Sequence, residues 1–399
     1  MVCKSFFFFI IFVYMKRFFL IILTFLLFSI SGKAQWSILE AQADSIVRAG
    51  TDYIYNLDFA NAERCFKEVQ TKLPNHPAGY FLDAMIDWWR LMIDKPRSEK
   101  FKDVFLTKIK NTIEVCDAIL DTSKKNINAL FFKGGALGYR GRYYADEESW
   151  VKAISDANAA LDVLIECLKV APGNHDIMLG TGIYNYFSVA IPEQYPIVKP
   201  LMFFLPSGDK KIGEYQLKSA ANKARYASVE AKVVLMQVYY TFEKRSWEAL
   251  DIAKELFEKY PNNPYFKKYY ARCLVRTGDY TNFEKYWREI LKDCIDKKFG
   301  YNNDLARESM YYIALALIRK KEYELALRYL IKCEEGSKEI DKDKSSSFLV
   351  MCNLWMGKVY DLQGKRNNAI AQYQKTLKMT NYSTSHEEAT RYLEKAFKQ

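Results

Sequence analysis

The stretch "AQADSIVRAGTDYIYNLDFANAERCFKEVQTKLP", residues 41–74, decides how this chain folds. On a 34-residue ruler that starts at Ala43, small residues fall at positions 8 and 20, and large ones at 4, 11 and 24. Small residues at facing positions let two antiparallel helices approach closely, large ones fill the remaining gap, and proline at position 32 stops the second helix. The stretch therefore predicts one helical hairpin. Its landmark residues are Ile46, Gly50, Tyr53, Ala62, Phe66 and Pro74.

The same ruler applies from four later starting points, which are Glu230, Pro264, Arg307 and Val350. Small residues return at position 8 or 20 in each of these units, and the unit that starts at Pro264 has Phe283 at position 20, where alanine is usual. The pattern resembles the tetratricopeptide repeat (TPR), whose hairpins stack into a right-handed superhelix. The recurring small residues are Ala249, Ala271, Ala314, Ala326, Gly357 and Ala369.

Three further hairpins are predicted between residues 77 and 229, interrupted by insertions at 94–100, 142–152 and 191–209. The fold class that follows is all-α. It is an α-solenoid of about eight TPR-like hairpins in a right-handed superhelix, with a capping helix at 385–398. The expected organisation is an N-terminal region, 35–229, of hairpins with insertions, and a C-terminal region, 230–399, of regular repeats and the cap.

The middle segment 204–245 opens a helix with Gly-Asp, continues with Leu-x-x-Ala, and ends in a helix that contains L-x-x-x-Y-Y. It resembles the inclusion-body-clearance TPR family and its bacterial relatives over about a tenth of the chain. The resemblance implies a structural, non-catalytic role at membranes.

The first 34 residues read as a secretory signal peptide. Lys16 and Arg17 precede an apolar run from 18 to 28. After this run comes a short stretch with small residues that ends at Ala34, as at a signal-peptide cleavage site. We expect Met15 to be the true start, cleavage before Gln35, and location in the periplasm or at the outer membrane. An uncleaved anchor is the alternative. Residues 35–399 keep 55 Lys and Arg against 48 Asp and Glu, a net charge of +7, spread along the chain without the basic stripe of a nucleic-acid protein.

The glycines of "FFKGGALGYRGRYY", residues 131–144, raise the question of a phosphate-binding loop. No Gly-Lys-Ser/Thr follows, and the flanks are helical, so close helix packing is favoured, with Gly141 ending the helix. The three histidines and seven cysteines beyond the leader show no metal-ligand spacing, and no nucleophile elbow occurs. The sequence thus predicts no catalytic site, no metal, no cofactor and no nucleic-acid partner.

First helices of TPR hairpins line the concave groove, and the family's groove positions predict a surface that is aromatic at first and basic later. The alternative for the aromatic residues is core packing. The predicted partner-binding residues are Trp88, Trp89, Tyr139, Arg140, Tyr184, Asn185, Lys268, Arg272, Arg276 and Arg319.

The leading hypothesis is an exported, non-catalytic scaffold that binds a protein or peptide in the bacterial cell envelope. The alternative is a small-molecule or lipid-binding TPR protein with an aromatic pocket in the middle repeats. The proline-bracketed insertion 191–209 is expected to plug the groove, or else to contact a membrane or partner. The sequence indicates neither the identity of the partner nor the oligomeric state.

Overall fold

A computed structural model describes residues 39, 41–203, 206–341 and 345–398. The chain divides into the units Met1–Gln42 and Ala43–Gln399. Nearly all of the first unit, including the predicted signal peptide 1–34, lies outside the described residues. The second unit contains the repeats.

The described part is helical, without a strand, and has seventeen helices of ten residues or more. They are α1 (Ala41–Tyr55), α2 (Phe59–Lys72), α3 (Pro77–Ile93), α4 (Lys102–Thr122), α5 (Ile127–Asp146), α6 (Trp150–Val170), α7 (Ile177–Gln194), α8 (Lys210–Lys223), α9 (Ser228–Gln237), α10 (Ser246–Lys259), α11 (Pro264–Thr277), α12 (Tyr280–Ile295), α13 (Asn303–Arg319), α14 (Tyr323–Ile340), α15 (Ser347–Leu362), α16 (Arg366–Leu377) and α17 (Ser385–Glu394). A π-turn, Val238–Phe242, extends α9.

The helices α1 to α16 form eight consecutive hairpins, and α17 packs on the last of them. The repeat landmarks have the predicted contacts. A Cβ atom on Gly50 would lie 2.6 Å from Cε1 of Phe66, and one on Gly357 would lie 2.5 Å from Cε1 of Tyr373. Position 8 of the first helix therefore rests on the aromatic ring at position 24 of the second, which confirms the hairpins and the all-α solenoid.

The insertions differ from the predicted loops. The residues 142–152 are mostly absorbed by longer helices, because α5 runs to Asp146 and α6 begins at Trp150. The residues 94–100 hold a short helix, Lys95–Ser98, followed by a 3₁₀ turn. Extra helical turns satisfy their own backbone hydrogen bonds, which an inserted loop would leave to water.

The glycine-rich stretch lies in α5, so the phosphate-loop interpretation does not apply. Two predicted details of its packing are wrong. A Cβ atom on Gly138 would meet nothing within 4 Å, so close packing does not require that glycine. Gly141 does not end the helix; a Cβ there would lie 3.2 Å from the carbonyl oxygen of Ala153, where α5 and α6 cross.

The solenoid also contacts itself over long sequence distances. Hairpins one and two (α1–α4) pack on hairpins five and six (α9–α12), and we call this contact the seam. The ring of Trp89 lies 6.0 Å from the ring of Tyr265 and 5.7 Å from that of Phe266. The amide of Asn263 donates to the carbonyl oxygen of Tyr55 at 2.9 Å. One hydrophobic core therefore spans both predicted repeat regions, 35–229 and 230–399.

Candidate functional site

The seam is built around the carboxylate of Glu230 on α9. Oε1 of Glu230 accepts from the hydroxyl of Tyr55 at 3.0 Å and from Nε1 of Trp89 at 2.8 Å. Burial and the neighbouring Glu230 carboxylate raise the pKa of the Tyr139 hydroxyl well above its usual value. Two neutral donors from two different first helices thus bind a single carboxylate, with a third hydroxyl nearby.

A second set of polar contacts closes the seam at its rim. The buried carboxylate of Asp94 accepts from the backbone N–H of Gly300 at 3.0 Å. The guanidinium of Arg97 donates to backbone carbonyls of the same loop, including that of Tyr301 at 2.6 Å. Side chains of the first insertion therefore bind the loop between α12 and α13.

The aromatic part of the predicted groove is core instead. Trp88 is 2% exposed and Trp89 is 1% exposed. Trp89 is covered at the seam by Tyr265 and Phe266, whereas Trp88 packs against Phe105 of α4 and Tyr139 of α5. Neither tryptophan presents a surface to a partner, which corrects their assignment as groove residues in favour of core packing.

Three other predicted residues bond within their own hairpins. Arg140 forms a bidentate salt bridge with Asp156 of α6, with both N···O distances 2.7 Å. The hydroxyl of Tyr184 donates to the carbonyl oxygen of Pro206 at 2.8 Å, and the amide of Asn185 donates to Oε1 of Gln216 at 2.9 Å. These contacts position helices and the end of an insertion, and they do not bring the three residues together.

Two basic residues of the later hairpins occupy equivalent places on their first helices. Arg276 and Arg319 stand at the ends of the first helices α11 and α13, and both are exposed. The guanidinium of Arg276 lies 3.4 Å from the ring centre of Tyr240, and that of Arg319 lies 3.4 Å from the ring centre of Tyr280. Neither arginine forms a salt bridge with a carboxylate of the described residues. We call these two cation–aromatic pairs the basic strip.

Lys268 and Arg272 lie deeper on the same helix, α11. Arg272 holds the carboxylate of Glu308 with both its Nε and Nη2 atoms, at 2.5 and 2.6 Å. Lys268 is half-buried, with its ammonium 5.1 Å from the ring centre of Tyr265. Burial and the neighbouring Arg272 guanidinium lower the pKa of Lys268 to about 8.

We expect Lys268 to lose its proton near pH 8 in the folded protein. An unfolded lysine keeps its ordinary pKa of about 10.4, so between these two values the unfolded chain binds this proton more tightly. The contribution of Lys268 to stability should therefore rise as pH rises from about 8 toward that value. NMR titration of ¹³C-dimethylated lysines measures this pKa. Lys268→Arg assigns the resonance, and a midpoint near the ordinary value would contradict the expectation.

Where it is described, the insertion 191–209 packs on its neighbouring helices, and its Pro206 accepts from the hydroxyl of Tyr184, one of the predicted groove residues. That the insertion plugs the groove stays a prediction. Its short helix Lys199–Met202 packs on α6 and α7, and the ring of Tyr195 lies 5.7 Å from that of Trp150. Val198 is buried, whereas Ile197 is 80% exposed and Phe203 is 81% exposed. The buried side chain of Val198 holds the segment against these helices. Pro192, Pro196 and Pro200 also limit the backbone conformations of the segment.

No metal or nucleophile site emerges from the described residues. They contain no group of three or more His, Cys, Asp or Glu side chains that could hold a metal ion. Burial raises the pKa of the thiols of Cys116, Cys167, Cys273 and Cys294 to about 12, which leaves little thiolate at neutral pH. None of the described helices is both long and apolar enough to cross a membrane.

Sequence reasoning missed Glu230 and Arg142. Glu230 occupies position 1 of a regular repeat, and its partners Tyr55 and Trp89 are 175 and 141 residues away. No local pattern reports a contact of that kind. The sequence pattern places Arg142 in an inserted loop, and only the extension of α5 directs it toward Trp88 and Gln237.

Fold and repeat landmarks together define the chain as a TPR-type α-solenoid. Among solved structures, it is similar to PilF of Pseudomonas aeruginosa, with a TM-score of 0.40, 14% identity, and coverage of 65% of this chain and 96% of PilF. TTC0263, a thermophilic TPR protein of Thermus thermophilus, gives a TM-score of 0.36 at 17% identity over 58% of this chain and 99% of its own. The human IFIT1 dimer with m7Gppp-AAAA gives 0.39 at 11% identity over 90% and 86%. No family model and no curated protein matches the chain.

Proposed function

We propose that this protein is an exported, non-catalytic scaffold of the bacterial cell envelope, which binds a protein or peptide partner on the basic strip. The observation that carries the proposal is the pair of exposed arginines, Arg276 and Arg319, each stacked on a tyrosine ring at the same end of a first helix. Arg and Tyr are the residues most often found at the energetic centre of protein interfaces. Since the seam buries the aromatic half of the groove, the later hairpins are left to receive a partner.

The chemistry of the strip selects the partner. A guanidinium stacked on an aromatic ring can still donate to a carboxylate, while the ring offers apolar area. Arg276 already gives one donor to the backbone carbonyl of Tyr240, and its other donors remain for a partner. A peptide segment with acidic residues for the guanidinium groups and apolar residues for the rings matches this surface. TPR solenoids in general bind proteins in this way, as extended or helical segments along their first helices.

Export rests on the leader. A positive pair, an apolar run and a small-residue end precede Gln35 in the order that a secretory signal requires. The resemblance of 204–245 to a TPR family with a role at membranes agrees with an envelope location. The exposed Ile197 and Phe203 supply an apolar surface for a membrane contact, which stays an alternative to a protein partner at that loop.

Photo-crosslinking in living cells tests the proposal. A photo-reactive amino acid placed at Arg319 should give a discrete adduct with an envelope protein, and the same amino acid at Lys125, exposed between α4 and α5, should give none. The double variant Arg276→Glu/Tyr280→Ala should remove the adduct obtained with a probe at Arg319. Lys125→Glu/Lys378→Glu serves as the control for charge reversal. Absence of an adduct at Arg319 would refute the proposal. So would a protein that stays in the cytoplasm with residues 1–34 still attached.

A further inference from the structure

The C-terminal segment, residues 385–398, encloses one lysine of the last hairpin. Lys358 of α15 is only 5% exposed, although a lysine ammonium is strongly hydrated when it is free. Two rings and one carboxylate of the segment, together with one ring of α15, stand around the ammonium. It lies 4.4 Å from the ring centre of Trp355 and 5.4 Å from those of Tyr392 and Phe397, and it forms a salt bridge with Glu388. We call this arrangement the Lys358 cage.

The segment leaves its helix to complete the cage. Helix α17 ends at Glu394, and the backbone of Lys395 is extended, with φ −134° and ψ 124°. The backbone N–H of Phe397 then donates to Oδ2 of Asp361 on α15 at 2.8 Å. Arg366, the first residue of α16, donates to the carbonyl oxygen of Leu393 at 2.7 Å. The last hairpin therefore binds the segment through its backbone as well as through its side chains.

The bound face of α15 is the face that the repeat pattern assigns to a partner. On the 34-residue ruler that starts at Val350, Lys358 and Asp361 stand at positions 9 and 12. In the unit that starts at Pro264, position 9 is Arg272, one of the predicted partner-binding residues. The C-terminal segment thus lies where the pattern places a partner on the last hairpin.

The segment has few other anchors. Only two residues of α17, Ser385 and Ala389, are buried, and the residues 380–384 that join it to α16 are all exposed. Helix α17 has ten residues, a length at which an isolated helix is marginal in water. An element with few buried contacts at the end of a chain opens more readily than the core. The contacts of the cage are therefore a main part of what keeps the segment in place.

The cage defines the chemistry of its occupant. Rings and a carboxylate around an ammonium supply cation–aromatic attraction and charge pairing at once. Without the segment, Lys358 would keep the ring of Trp355 from its four cage partners, whereas Asp361 would still bind Arg366 and the hydroxyl of Tyr373. The lysine is therefore the group that requires an occupant. The segment supplies a carboxylate first, and aromatic rings four and nine residues later.

We propose that the last hairpin carries a peptide-binding site, which the C-terminal segment occupies in cis as an autoinhibitory ligand. A partner segment with the same chemistry, an acidic residue followed by two aromatic residues, takes the site when the C-terminal segment is released. Because the attached segment has an effective concentration in the millimolar range, a free peptide binds the intact protein more weakly than the open site. The site is distinct from the basic strip, and its regulatory role rests on the partner binding proposed above.

Fluorescence anisotropy tests the site, with a labelled synthetic peptide of residues 384–399 as the probe and the purified protein as the receptor. We expect little binding to the wild type, because its own segment fills the cage. The double variant Tyr392→Ala/Phe397→Ala loosens that segment and leaves α15 unchanged, so it should bind the peptide at least about tenfold more tightly. The matched control is Tyr382→Ala, which removes a 49% exposed ring outside the cage and should behave as the wild type does.

Two further measurements complete the test. Lys358→Gln, added to the double variant, should weaken peptide binding about tenfold or more, because it removes the caged cation. Hydrogen exchange on the wild type should be faster in residues 385–398 than in α15, and this readout does not depend on the folding of any variant.

Three results would overturn the proposal. They are no binding of the peptide to the double variant at about 1 mM, equal affinity of the wild type and the double variant, and exchange in 385–398 as slow as in α15. A concentration-dependent dimer of the wild type would also contradict occupation in cis, because it would place the segment on a second copy. Crosslinking from Arg319 does not use the peptide, so the partner on the basic strip and the site on α15 can fail separately.

Discussion

Trp89→Ala is expected to lower the free energy of unfolding by about 3–5 kcal/mol, the range found when a buried aromatic side chain is truncated to alanine. Trp89 is 1% exposed and packs against Tyr55, Tyr265 and Phe266 across the seam. The substitution leaves a cavity at the centre of the seam and removes the Trp89 donor to Glu230, which leaves that of Tyr55. Urea unfolding followed by far-ultraviolet circular dichroism measures the loss.

Trp247→Ala is the control for this prediction, because Trp247 lies on α10 at 65% exposure and its truncation should stay within about 0.5 kcal/mol. Small-angle scattering adds a second readout. If the seam holds hairpins one and two against hairpins five and six, Trp89→Ala should raise the radius of gyration under native conditions. Equal stability of the two variants would show that the seam does not hold the solenoid closed.

Asp176→Ala is expected to destabilise the protein by about 3 kcal/mol or more. Asp176 is 6% exposed, and its carboxylate accepts from the backbone N–H groups of Arg225, Tyr226 and Ala227 at 3.2, 2.7 and 2.8 Å. One side chain at the start of α7 thus satisfies three donors of the turn between α8 and α9. Alanine leaves these donors without a partner, at about 1–3 kcal/mol for each that stays buried. Thermal unfolding by calorimetry measures the change.

Asp176→Asn separates charge from hydrogen bonding. The amide oxygen can still accept from Tyr226 and Ala227, so we expect a loss of only about 1 kcal/mol, for the missing charge and third acceptor. Asp162→Ala replaces an exposed aspartate of α6 and should have little effect. A similar loss in Asp176→Ala and Asp162→Ala would contradict the role assigned to Asp176.

The hairpins could be predicted because each is encoded within one 34-residue window. Gly50 and Phe66 are sixteen residues apart, and so are Gly357 and Tyr373, so the contact between the two helices is visible as a local spacing. Proline and asparagine at the helix starts add further local signals, such as the side chain of Asn263, which accepts from the N–H of Tyr265. The fold class and the number of hairpins follow from these local contacts.

The arrangement of the inner face could not be predicted in the same way. The family positions place Trp88 and Trp89 on the groove side of α3, but Trp88 meets α4 and α5, and Trp89 meets α9 and α11, instead of a partner. Which distant helices meet depends on the small rotations that accumulate over four hairpins, and no single window contains them.

The seam also changes how the protein should respond to truncation and in what order its hairpins can fold. An open solenoid gains stability repeat by repeat, so a shortened version often survives and folding can begin at any point. Here the hydroxyl of Tyr55 donates to the carboxylate of Glu230, 175 residues further along the chain. This contact requires hairpin five to be present. Removing the first hairpin would uncover the middle of the protein rather than trim its end. We therefore expect this stack of neighbouring modules to unfold as one cooperative unit, and its first hairpin to reach its native place late in folding.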